Sequence, residues 1–139
     1  MAEVSITAAN VVPVAGYSST TGTAGATITA GQVVYRDAAT STLKLADSNA
    51  SQAAANAVGI ALHGASSGQP LIYQTAGDIT IGGTIAVGKI YVVGATTPGA
   101  LAEHTDLTSG WYTKVMLIGK TSAIGTIVNR GPSTLVQVP

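Results

Sequence analysis

His63, Ser66 and Asp78 are the side chains from which a nucleophilic set can be assembled on paper, a serine activated by an imidazole that a carboxylate orients. That chemistry needs the serine on a sharp elbow, and no GxSxG sequence surrounds any serine here. His63 reads instead as a residue at the exposed end of a strand over 58–62. Glu103, His104 and Asp106 are the nearest approach to a metal cluster, since carboxylate and imidazole at such spacing can hold a divalent ion. A solvated acidic loop carries the same residues, and no loop of alternating Asp and Asn suits calcium. With no cysteine there is no disulfide, thiolate metal site or cysteine nucleophile. Gly82-Gly83 is followed by neither a Walker sequence nor GxGxxG and a helix, so it reads as a hinge, not a phosphate cradle. No catalytic residue, cofactor or metal is expected, and the chain does not read as an enzyme. Trp111-Tyr112 is the one local concentration of aromatic area. It suits an oligomer interface, a sugar platform or the edge of a core.

The elements that would position these residues are built from a narrow alphabet. Of 139 residues, 46% are hydrophobic but only 4% aromatic, with no Phe, so Val, Ile, Leu and Ala must fill the core. At about 25 cal/mol per Å² of buried apolar surface, a core rich in Ala is thin, and oligomerisation would add to it. Charged residues make up 9%, six basic against six acidic. No basic excess marks the chain for nucleic acid or an anionic membrane. Low charge suits large protein contacts, whose centres are depleted in charge. The start lacks the pattern of a signal peptide, and no window approaches about 18 uninterrupted apolar residues, which predicts a soluble protein made in a cytoplasm.

Residues 84–101 hold the clearest local grammar: Ile85, Val87, Ile90, Tyr91, Val92 and Val93 suit a strand, and Thr97-Pro98-Gly99-Ala100 suits a reversal. The stretch 27–35 matches 84–92 in residue type at an offset of 57, and Leu43 and Leu101 follow in turn. Residues 58–61 then match 118–121, 71–73 match 127–129, and 79–81 match 135–137. Four strand-like blocks in the same order predict an all-β fold, a β-sandwich or barrel from two internally similar four-strand halves, about 27–81 and 84–138. Leu43 and Leu45 flank Lys44, and Val58, Ile60 and Leu62 flank Gly59 and Ala61, so each strand places its large apolar set on one face. Residues 115–118 form a continuous apolar run, expected of a central strand covered on both faces. Helix is confined to one short piece near Ser51 to Ala57, capped by Asn49 or Ser51.

Residues 1–26 stand outside the repeat, as an N-terminal arm or edge strand before a single β domain over 27–139. Val4 and Ile6 alternate with polar residues as in a short strand, and Val11, Val12 and Val14 continue it around Pro13. The polar run 18–25 reads as a flexible loop.

Taken together, GKIYVVGATTPGAL and WYTKVMLIGKTSAIGTIVN resemble modules of small structural proteins of tailed-bacteriophage virions, the capsid decoration or cement proteins and head-fibre domains. The elements that carry the likeness are Gly88, Tyr91, Val92, Pro98-Gly99, Ile118-Gly119 and Ile127-Val128, over about residues 27–138. The resemblance implies a β-rich subunit, commonly a homotrimer, on the exterior of a virion, binding the major capsid protein. Val4, Ile6, Val11, Val12 and Val14 are then the candidate capsid-binding residues, and Trp111 and Tyr112 the candidate oligomer interface. A fibre module binding a host glycan through residues 64–69 or 101–112 is the alternative.

Overall fold

The protein is described by a computed structural model covering residues 3–130 and 138. In chain order the strands are β1 (Val12–Pro13), β2 (Ser18–Thr23), β3 (Val33–Asp37), β4 (Thr42–Leu45), β5 (Gly59–Ala61), β6 (Pro70–Thr80), β7 (Ile90–Val93), β8 (Leu101–Glu103), β9 (Val115–Gly119) and β10 (Ile124–Arg130). One helix, α1 (Gln52–Ala55), and two single 3-10 turns complete the described residues. The strands form one antiparallel sheet curled into a half-barrel, so the chain is all-β as its sequence predicts. Ser51 caps α1, its Oγ accepting from the Ala54 N–H at 3.1 Å.

The strand order β4-β3-β5-β6-β10-β9-β7-β8 reads outward from the central β6–β10 pair as one pairing sequence made twice. Turn bonds repeat with it. Gly31 and Gly88 both have positive φ, 89° and 76°. Their N–H groups donate to Ala61 O and Gly119 O. Likewise Ile28 N–H donates to Ala65 O and Ile85 N–H to Ser122 O, both at 2.9 Å. Further along, the pairing corrects the sequence match. Ile60 opposes Val33 as Ile118 opposes Ile90, so Ile60, not Val58, is the counterpart of Ile118. Gln74 and Thr126, which oppose those two isoleucines, are counterparts in turn, in place of the 71–73 and 127–129 match. Matching by type followed the adjacent glycines, whereas register follows the strand partner. The match of 79–81 to 135–137 falls outside the described residues.

The main core lies inside the curl. Tyr91, Leu117 and Ile127 oppose one another across β7, β9 and β10 and are buried with Ile79, Ile81, Ile85, Val93, Leu101 and Met116. Val33 and Ile60 of the first half turn into it as well. On the other face of the first half, Ile28, Val34, Leu43, Ala61, Leu71 and Tyr73 make a second, smaller core. Both faces of β5 are therefore buried, with Gly59 and Ala61 covered along with Ile60 between them, while Val58 and Leu62 on either side are half-buried.

The N-terminal segment is built into the fold. The polar run expected as a flexible loop is instead β2, paired over its whole length with β6. Its ladder bonds are backbone bonds, which need no apolar alternation. The short strand expected at Val4 and Ile6 is reduced to an isolated bridge, Glu3 to Ala102, with Val4 N–H donating to Leu101 O at 2.8 Å. The segment then crosses Gly82-Gly83, where Thr7 N–H donates to Gly82 O, and a Cβ on Gly83 would stand 2.3 Å from Ser5 O. That pair serves close approach of two backbones. Among the described residues, no helix is long and apolar enough to cross a membrane.

Candidate functional site

The side chains that could do chemistry are engaged elsewhere and apart from one another. His63 stands just past β5 with Nδ1 2.9 Å from Gly64 O and Nε2 accepting from the Ile72 N–H at 3.0 Å. Nε2 thus ties the end of β5 to β6, and its acceptor role leaves the ring proton on Nδ1, against Gly64 O. Asp78 accepts from Lys120 Nζ and from Thr126 Oγ1, while the Ser66 backbone N–H donates to Gln69 Oε1. The three members of the paper triad are not brought together. Glu103 is paired with Lys89 Nζ at 3.0 Å, and His104 Nδ1 lies 3.3 Å from Ile90 O. Among the described residues, no group of three or more His, Asp or Glu side chains is placed to hold a metal.

Trp111 is only 9% exposed within the single chain, and Tyr112 is half-buried with its N–H donating to Ser48 O. The indole is spent on the core edge and presents no open face to a sugar. Lys114 nearby is buried and, among the described residues, has no carboxylate partner, and burial holds its pKa below the ordinary lysine value of 10.5.

The five valines and isoleucines of the N-terminal segment divide by face. Val11 is buried in the main core, and Val4 and Ile6 pack partly buried against it. Val14 is half-buried, its N–H donating to Asp78 O at 3.0 Å. Only Val12 points out, at 53% exposure.

Val12 is one end of a larger surface that the register defines. Residues directly opposed in an antiparallel ladder share a face. Val12 opposes Thr80, which opposes Ile124. In the neighbouring row Asp78 opposes Thr126, Thr126 opposes Ile118, and Ile118 opposes Ile90. These rows form the convex face of the sheet, opposite the buried row of Tyr91, Leu117 and Ile127. Ile90, Ile118 and Ile124 are half-buried there. Charge on the face is internally neutralised, because Asp78 holds Lys120, and the Lys120 and Thr126 hydrogen bonds keep its carboxyl below the ordinary value of 3.8. In the first half the outer face is covered by the chain itself, since Val34, Ala61 and Tyr73 are buried in the second core.

The sequence did not reveal this surface. The run 115–118 was expected to be covered on both faces. β9 is central in the pairing order, but only Met116 and Leu117 are buried, while Val115 and Ile118 are half-covered. The signal that could have found it is the pairing of Ile90 with Ile118, which a register derived from the first half would have supplied. No protein-family profile matches the chain, and no characterised protein or solved structure is similar to it at a significant level.

Proposed function

We propose that this is a non-enzymatic virion structural protein, which decorates and stabilises a bacteriophage capsid lattice by binding the major capsid protein as a symmetric oligomer on the capsid exterior. The observation that carries the reading is the apolar, charge-neutral convex face running from Val12 through Ile124 and Ile118 to Ile90. A surface of this kind suits a broad protein partner, since interface centres are apolar and depleted in charge. The resemblance of residues 27–138 to decoration proteins supplies the partner, and occupancy of many lattice sites by one oligomer supplies avidity through effective concentration.

Of the N-terminal candidates, Val12 is the one we assign to the lattice, because it alone of the five is largely exposed. Val4, Ile6 and Val11 serve the chain's own core, so removing residues 1–26 would strip core and sheet together and would not isolate a binding arm. The reading is tested by mixing the purified protein with expanded and unexpanded capsid shells and sedimenting them. Co-sedimentation with expanded shells is the expected result. Failure to bind either form, or binding to a glycan array in its place, would reject it.

A further inference from the structure

We infer that the outer edge of β2 pairs with the β2 of a second copy of this chain. β2 is paired with β6 through all six of its residues, and among the described residues its other edge has a backbone neighbour only past the Thr23 end, where Ala24 bridges Leu43 in parallel and Gly25 N–H donates to Leu43 O at 2.8 Å. Edge strands of proteins that stay monomeric are guarded by lysine, proline, inward charge or bulges. Here the only register shift is at the Ser18/Ser19 end, and no charged residue occurs between Glu3 and Arg36. Five of the six residues are exposed, Gly22 being half-buried. An unguarded edge of this length is a template for another strand.

The composition of β2 fits its own copy. A twofold axis normal to the sheet keeps every side chain on its own face, so residues of the same parity must oppose. Either Thr20 meets Thr20 or Thr21 meets Thr21, and all other pairs fall among Ser, Thr and Gly. No like charges are opposed, and β-branched threonines pair favourably across strands. Ile72, which lies opposite Thr21 in β6, is 40% exposed, and Tyr17 just before the strand is 42% exposed. A second copy would cover both. The contact is isologous and closes at two subunits, and it leaves the convex face free. It deepens the oligomer of the proposed function and rests on that part of the reading alone, not on the capsid.

The test is light scattering on the full-length protein without capsids, where a mass twice that of the 13.7 kDa chain is expected. Thr21→Glu and Thr21→Lys, each placing like charges near the axis, should weaken the dimer at least tenfold, and an equimolar mixture of the two should restore it. A monomeric or trimeric parent, or a dimer unmoved by both charges, would overturn the inference. Should the charged variants fail to fold, cysteine at Thr20 or at Thr21 decides. The chain has no other cysteine, so one of these two must give a disulfide-linked dimer on mild oxidation, and linkage by neither overturns it. Capsid sedimentation of the monomeric Thr21→Glu protein reads the lattice claim separately.

Discussion

Asp78 does more on the convex face than any apolar residue there, because it neutralises Lys120 and joins β6 to Thr126 across the seam between the halves. Its folded pKa lies below 3.8, so its contribution is present above that pH and is lost as pH falls through the lower folded value. Asp78→Asn should therefore cost about 0.5 kcal/mol at neutral pH, the scale of a partly exposed pair. The gap from the parent, read from urea midpoints, should close as pH falls below 3.8. Lys114 works with the opposite sign. Burial lowers its folded pKa below 10.5, so the unfolded chain binds the extra proton, and stability rises with pH through that window. Lys114→Met should be more stable than the parent at pH 7, by a margin that shrinks as pH approaches 10.5; a margin independent of pH would contradict the assignment. Neither role was legible from residue type, since both depend on partners distant in the chain.

At the scale of elements, the turn at Thr97-Pro98-Gly99-Ala100 was readable because each residue has a mechanical reason to be there. Ala100 N–H donates to Thr97 O, and Gly99 has φ 85°. The use made of the turn was not readable. Gly99 N–H donates to Ala46 O and Gly99 O accepts from Val33 N–H, both at 2.8 Å, so the turn of the second half is bonded to β3 and the end of β4 in the first. Gly99→Val would force a β-branched residue to positive φ, with Leu45 Cδ2 at 3.0 Å from the new Cβ. A loss of about 1–3 kcal/mol in thermal or urea unfolding is expected. Ser41, which leads into β4 as Gly99 leads into β8, also has positive φ, at 56°. That makes Ser41→Gly a variant expected to be neutral or stabilising. β2 escaped notice for the converse reason: a strand held by backbone bonds to one neighbour leaves no pattern in its side chains.

For the whole molecule, the all-β class was legible in the order of strand-like blocks, because strand, turn and strand recur with the same small residues between them. What the two copies do with their faces was not. On the outer face of the first half Val34, Ala61 and Tyr73 are buried in the second core, whereas Ile90 and Ile118 on the outer face of the second half are left half-covered. An apolar run reads the same whether its cover comes from the same chain or from another. The central claim is that another protein, the capsid lattice, covers this face. It is met most directly by co-sedimentation of the double variant Val12→Asp, Ile124→Asp with expanded capsid shells, since both side chains lie in one row of that face and belong to neither core. A fold-competent double variant that has lost at least tenfold in shell affinity is the predicted result, and one that binds as the parent does would contradict the account.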